Sequence, residues 1–110
     1  MARVVAVFDD LLLGSNVLGM LRAAGHEATL TPAGSLDPDA VDLVVADLAG
    51  GADPAEIAAR VPGVKLLGVY SHVHHDQRTR AEAAGFDLVV PRSRMAREGP
   101  ALVERLLSRG

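Results

Sequence analysis

Residues 42–48 have the sequence Asp-Leu-Val-Val-Ala-Asp-Leu, a short apolar run with a carboxylate near its end. A continuous run of small and β-branched apolar residues is typical of a strand that helices cover on both faces of a parallel sheet. Four similar runs lie at residues 3–8, 27–31, 64–70 and 87–91. We therefore predict five strands, with residues 42–48 forming the third.

Stretches with helical spacing of apolar residues separate these runs. The predicted helices occupy residues 15–24, a short stretch that begins at Pro54, residues 77–84, and a last stretch that begins near Pro100. Asp53 and Asp76 stand where a side chain can cap the second and third of these helices. Strands that alternate with helices indicate a parallel sheet with helices on both faces.

The link between the second and third strands is the exception to this alternation. Residues 32–40 are few and rich in Pro, Gly and Asp, so they predict a turn where a full crossover helix is expected. A five-stranded, doubly wound sheet of this length is most often flavodoxin-like, with the strand order 2-1-3-4-5. We predict a flavodoxin-like three-layer α/β sandwich with an abbreviated second crossover helix.

Length and composition limit the classes of function. A chain of 110 residues has the size of one domain, so we expect residues 1–110 to form a single domain. The formal charge of −3 argues against a nucleic-acid partner, since that binding needs clustered positive charge. The chain has no cysteine, which favours the cytoplasm over an oxidising compartment. Its apolar runs are too short to predict a membrane span.

Polar side chains follow the predicted strands at their carboxyl ends. Asp9 and Asp10 follow the first strand, Asp47 lies near the end of the third, Ser71 follows the fourth and Arg92 follows the fifth. Parallel strands bring these ends to one edge of the sheet, where ligands of such folds bind. Carboxylates that lie close together repel one another unless a cation such as Mg²⁺ binds between them. Asp47 could then attack a phosphoryl group, with Ser71 and Arg92 contacting its oxygens.

This arrangement resembles the CheY-like receiver domain of bacterial response regulators. The matching features are an acidic pair after the first strand, a carboxylate at the end of the third strand, a hydroxyl after the fourth strand, and the Ala84-Gly85 pair before the fifth. The resemblance implies that Asp9, Asp10 and Asp47 hold Mg²⁺. It also implies that a histidine kinase phosphorylates Asp47 in a two-component phosphorelay, that a downstream protein reads the change, and that enzymatic activity does not go beyond autophosphatase activity.

Several positions depart from the receiver pattern. Arg92-Ser93 stands where the family has a lysine followed by proline, and Val89 stands where it usually has an aromatic residue. Arginine is a planar fork and lysine a compact ammonium, so the two are not equivalent in a switch. These departures support an alternative, a degenerate pseudo-receiver that acts only as a protein-interaction or homodimerisation module.

Two further sequence features leave alternatives open. The loop that contains His72, His74 and His75 could bind a metal such as Zn²⁺, which would make the chain a small metal-binding protein, or it could be an ordinary solvated loop. Residues 11–13 are three consecutive leucines directly after the acidic pair. They either cover the crevice expected at the edge of the sheet where the acidic pair lies, or form part of an interface.

Overall fold

The computed structural model describes residues 2–50, 53–71 and 74–108. Five parallel strands form one sheet in the order β2-β1-β3-β4-β5, as predicted. The strands are β1 (Arg3–Val7), β2 (Glu27–Leu30), β3 (Leu43–Asp47), β4 (Lys65–Tyr70) and β5 (Leu88–Pro91). The helices are α1 (Leu11–Ala23), α2 (Pro54–Arg60), α3 (His75–Ala83) and α4 (Arg92–Ser108). None of the helices in these ranges is long and apolar enough to cross a membrane.

The core lies in two layers, one on each face of the sheet. On one face, alternate residues of the strands pack against buried residues of α1 and α4, such as Leu21 and Leu106. On the other face they pack against α2 and α3, where Ile57 and Ala81 are fully buried. All five residues of β3 are buried, as expected for a central strand covered on both sides. The three-layer sandwich is thereby confirmed.

The second crossover is abbreviated, as the sequence predicts. Between β2 and β3 the described chain forms one 3₁₀ turn (Ala33–Ser35) and no α-helix. Leu36 and Val41 from this connection pack against the core layer beside α2. The connection therefore closes the core with few residues and gives the carboxyl ends of β1 and β2 less cover than a full helix would give them.

Helix α4 begins eight residues before the predicted position near Pro100. It starts at Arg92, and Pro100 lies inside it. The sequence interpretation took the proline as a start signal, since proline suits the first turn of a helix. Proline inside a helix costs the hydrogen bond to the carbonyl four residues earlier. Here Met95 before the proline and Leu102 after it are both buried, and their packing outweighs that cost.

Two other helix starts differ from the sequence interpretation. Helix α1 begins at Leu11, because the Asp10 side chain accepts a hydrogen bond from the Leu13 N–H and caps the helix four residues earlier than predicted. Helix α3 begins at His75, so Asp76 lies in its first turn and is not its cap. A carboxylate in the first turn still interacts favourably with the helix dipole.

The Asp42 carboxylate ties the chain before β3 to the start of β1. Its Oδ2 accepts a hydrogen bond of 2.8 Å from the Arg3 N–H, and its Oδ1 lies 3.4 Å from Arg3 Nη2. The backbone hydrogen bond, followed by the Arg3 side chain, holds the pKa of Asp42 below its usual value. A depressed carboxyl pKa stabilises the fold above the pKa of the unfolded chain, and this contribution disappears as the pH falls through the folded pKa.

We therefore expect Asp42→Asn to lower the free energy of unfolding at pH 7 by about 0.5–1 kcal/mol, a small loss because water screens the half-exposed pair. The difference from the unsubstituted protein should shrink as the pH falls below about 4. Urea unfolding at a series of pH values measures both effects. Asp39→Asn, an exposed neighbour, is the matched control. A difference that stays constant down to the acid limit would contradict the expectation.

Candidate functional site

Asp47 is the last residue of β3, and its side chain is fully buried with 0% exposure. Its Oδ1 accepts a hydrogen bond of 3.2 Å from the Ala49 N–H in the turn that follows the strand. A buried carboxylate is costly unless a cation and hydrogen-bond donors surround it. Whether the buried Asp47 carboxylate is stable therefore depends on the groups that pair with it.

Arg92, the first residue of α4, provides that cation. Its Nη2 lies 3.0 Å from Oδ2 and 3.3 Å from Oδ1 of Asp47, so one guanidinium nitrogen contacts both carboxylate oxygens. The Arg92 side chain is 39% exposed, whereas its Nε is buried and has no partner among the described residues. Arg92 directly follows β5, so it lies at the same edge of the sheet as the carboxyl end of β3.

Asp9 lies beside the turn that follows Asp47. A Cβ atom placed on Gly50 would lie 3.2 Å from both Cβ and Oδ2 of Asp9, so Gly50 and Asp9 are in close contact. Asp9 and Asp47 both line a pocket of about 490 Å³ at this edge of the sheet. The structure thus brings together two of the three carboxylates that the sequence analysis placed here.

Asp10 does not line this pocket. Its Oδ1 accepts the 3.0 Å hydrogen bond from the Leu13 N–H that caps α1. Within residues 2–50, 53–71 and 74–108, no three His, Asp or Glu side chains are already placed to hold a metal ion. Asp9 and Asp47 supply hard oxygen ligands of the kind that Mg²⁺ prefers, and the second oxygen of Asp10 is free of the cap. The Mg²⁺ site stays a prediction.

Ser71 follows β4 at the same edge and is half buried. Its N–H donates to Oε1 of Gln77 at 3.4 Å, and its carbonyl accepts from the His74 N–H at 2.8 Å. His75 opens α3, with its ring centre 6.4 Å from that of Tyr70. His72 lies outside the described residues, so the metal-binding histidine loop also stays a prediction.

Two residues of the pocket were missed by the sequence analysis. Asp53 and Glu56, at the start of α2, line it together with Asp9 and Asp47. The sequence analysis assigned Asp53 only to the cap of α2, and Asp53 does accept a hydrogen bond of 3.1 Å from the Ala55 N–H. The sequence shows two acidic residues at the start of a helix, but which pocket they border depends on how α2 packs against the rest of the fold.

Solved structures of receiver domains share the fold of this chain. No family model and no curated protein matches the sequence. The chain is similar to the HemR receiver domain from Leptospira biflexa, with a TM-score of 0.81 and 24% identity over 98% of this chain and 95% of that one. It is also similar to a response regulator receiver domain protein from Clostridium thermocellum, with a TM-score of 0.84 and 15% identity over 99% and 96% of the two chains. For the receiver domain of NtrX from Brucella abortus, the TM-score is 0.78 and the identity 20%, over 97% and 99%. The chain therefore has the CheY-like receiver fold over nearly its whole length.

Proposed function

We propose that residues 1–110 form one receiver-like signalling domain in which Asp47 accepts a phosphoryl group. The observation that carries this proposal is the buried Asp47 carboxylate at the end of β3, paired with Arg92 and bordering a pocket at the carboxyl edge of the sheet. The fold shared with solved receiver domains supports it. A histidine kinase would be the donor, and a downstream protein would read the change.

The chemistry is a phosphoryl transfer to a carboxylate. An oxygen of Asp47 attacks the phosphorus atom of a phosphohistidine on the kinase. A phosphorus–oxygen bond forms, the phosphorus–nitrogen bond of the donor breaks, and the released imidazole nitrogen takes up a proton. Water then attacks the phosphorus atom of the acyl phosphate, the bond from phosphorus to the Asp47 oxygen breaks, and inorganic phosphate leaves as the carboxylate is restored.

Asp9, Asp10 and Asp47 are the residues that would hold Mg²⁺. The pocket that Asp9 and Asp47 line and the oxygen-only donor set fit such an ion. When bound, Mg²⁺ supplies electrostatic stabilisation of the charge on the transferred phosphoryl group.

Arg92 and Ser71 would contact the phosphoryl oxygens. Arg92 must release one oxygen of Asp47 before that oxygen can attack, and its 39% exposed side chain has room to move. Its buried Nε, which has no partner among the described residues, is then a donor for a phosphoryl oxygen. The Ser71 hydroxyl, at the end of the neighbouring strand, is a second donor.

Beryllofluoride, a stable mimic of a phosphoryl group on a carboxylate, tests the proposal directly. With Mg²⁺ present, we expect it to shift the backbone amide resonances of Asp47, Ala49, Ser71 and Arg92 in a ¹⁵N NMR spectrum. The same spectrum recorded with Mg²⁺ alone separates the effect of the metal. Unchanged resonances at these positions at saturating beryllofluoride would refute phosphoryl acceptance.

Two variants complete this test. Asp47→Asn removes the nucleophilic carboxylate and should abolish the beryllofluoride response. Asp39→Asn removes an exposed carboxylate in the connection before β3 and should leave the response unchanged. A response that survives Asp47→Asn would place the acceptor on another side chain.

One observation favours a second candidate, a pseudo-receiver that binds or homodimerises without phosphorylation. Both oxygens of Asp47 already have partners, Arg92 and the Ala49 N–H, so the carboxylate is satisfied in the resting fold. A chain of this kind would give no beryllofluoride response. It would still associate with its partner or with itself, which sedimentation analysis measures.

A further inference from the structure

A groove runs between the start of α1, the chain that follows β2, and the start of α2; we call it the α1–α2 groove. It is the pocket of about 490 Å³ that Asp9 and Asp47 border. Its apolar walls include Phe8, Leu30 and Pro32. Because the second crossover is a single 3₁₀ turn, Pro32 and Ala33 form one wall of the groove where a crossover helix is usual for this fold.

The groove is acidic. Asp9, Asp47, Asp53 and Glu56 line it, and no Lys, Arg or His among the described residues does. Cations outside the lining offset two of these charges, since Arg92 pairs with Asp47 and Arg60 Nε lies 3.2 Å from Glu56 Oε1. Asp9 and Asp53 have no such partner in the part of the chain that the structure describes. The groove therefore keeps a negative charge that a positively charged group would complement.

Two leucines extend an apolar surface from the groove along α1. Leu11 is 69% exposed and Leu12 is 75% exposed, and among the described residues they are the large hydrophobic side chains most open to water. Leu11 lines the groove, whereas Leu12 lies beyond it. A small molecule that filled only the groove would leave Leu12 in water, so the occupant that fits the whole surface is a polypeptide segment.

We propose that the α1–α2 groove docks a basic, apolar segment of a partner protein. A Lys or Arg side chain of that segment lies against Asp9, Asp53 and Glu56, and its neighbouring apolar side chains cover Leu11 and Leu12. This proposal goes beyond phosphoryl acceptance, because docking shares only Asp9 with the proposed Mg²⁺ site and requires no phosphoryl group on Asp47.

Selection from a displayed library of random short peptides against the full chain tests the proposal. We expect the enriched peptides to carry net positive charge with leucine, isoleucine or aromatic residues beside the basic position. Their affinity, measured on synthetic copies by fluorescence anisotropy, should fall as the salt concentration rises. Enrichment of acidic or uncharged peptides, or of none, would overturn the proposal.

Two variants test whether the selected peptides bind in the α1–α2 groove, and neither changes a residue of the proposed transfer site. Leu12→Ser should weaken binding about tenfold, because an exposed leucine no longer becomes buried in the complex. Glu56→Gln should weaken it about threefold, as for a charge at the rim of an interface. The matched controls Asn16→Ser on the exposed side of α1 and Glu82→Gln on α3 should have no effect. Binding that is unchanged in both groove variants would overturn the proposal.

The same experiment separates this proposal from phosphoryl acceptance and from other occupants. Leu12→Ser and Glu56→Gln should keep the full beryllofluoride response, so either proposal can fail alone. Spermidine that binds as tightly as the peptides, and binds Leu12→Ser equally well, would assign the groove to small amines instead. Self-association that Leu12→Ser abolishes would assign the surface to a second copy of the chain and overturn the proposal.

Discussion

Replacing Arg92 with alanine is expected to lower the free energy of unfolding by about 3 kcal/mol. The loss of stability comes mainly from Asp47, which stays buried after its partner is removed. Asp47 has 0% side-chain exposure, and without Arg92 it keeps only the hydrogen bond from the Ala49 N–H. A carboxylate buried in this way loses its counter-charge and gains little from water. Other single removals of one partner from a buried ion pair have costs of this size.

Asp47→Asn should cost less, about 1 kcal/mol, although it breaks the same pair. The guanidinium that remains is 39% exposed and can turn into water, whereas the asparagine carbonyl can still accept the Ala49 N–H. The double variant should be little less stable than Asp47→Asn alone, because Arg92 no longer has a carboxylate to neutralise. The pair is therefore predicted to be asymmetric: removing Arg92 and leaving the buried Asp47 should cost more unfolding free energy than removing the charge of Asp47 and leaving Arg92.

Urea unfolding of the two single variants and the double variant forms a double-mutant cycle that measures this coupling. Arg94→Ala is a control for the loss of an arginine from the same helix, since Arg94 lies two residues further along α4 and its Nε is 3.4 Å from Glu98 Oε2. It should cost less than about 0.5 kcal/mol. Equal losses in Arg92→Ala and Asp47→Asn, or additive losses in the double variant, would contradict the asymmetry.

The asymmetry has a consequence for the proposed transfer. Because the buried Asp47 carboxylate is stable only beside a cation, it cannot be left without Arg92 before the phosphoryl donor binds. Arg92 must therefore move by a small distance and keep contact with one oxygen while the other attacks. Its planar fork suits this, since neighbouring nitrogens can hold two acceptors at once, and a lysine ammonium has no such fixed geometry.

The sequence predicted the sheet well because local patterns determine it. Runs such as residues 42–48 are mostly apolar on both faces, and that pattern is typical of a strand between two helical layers. The abbreviated crossover was predictable for the same reason, since residues 32–40 cannot form a helix of useful length. Helix starts were predicted less well. Pro100 was taken as a start, although tertiary packing of Met95 and Leu102 carries α4 through it.

The candidate site was predictable in its position but not in its internal contacts. Topology alone places Asp9, Asp47 and Arg92 at one edge of a parallel sheet. Whether Asp10 lines the pocket beside Asp9 depends on backbone angles at a single turn, and in the structure its Oδ1 caps α1 instead. The approach of α2 that brings Asp53 and Glu56 to the groove depends on the packing of the short crossover, which no local pattern encodes.

The position of Arg92 also depends on how firmly the far end of α4 is anchored to the sheet. Leu106 is fully buried in the core layer between the sheet, α1 and α4, whereas its neighbour Leu107 is only partly buried. In the structure, the helix continues through Pro100 in a phase that turns Leu106 to the core and Leu107 towards its border.

Leu106→Ala is therefore expected to lower the free energy of unfolding by about 3 kcal/mol, through lost burial and the cavity that remains. Leu107→Ala, the same change one residue later, should cost about 1 kcal/mol, because water already reaches its side chain. Urea unfolding followed by circular dichroism measures both, and equal slopes of the transitions would exclude a change in the unfolded state. If the two losses were equal, or the order reversed, α4 would be turned about its axis after Pro100, and the helix that presents Arg92 to Asp47 would be anchored by a different face.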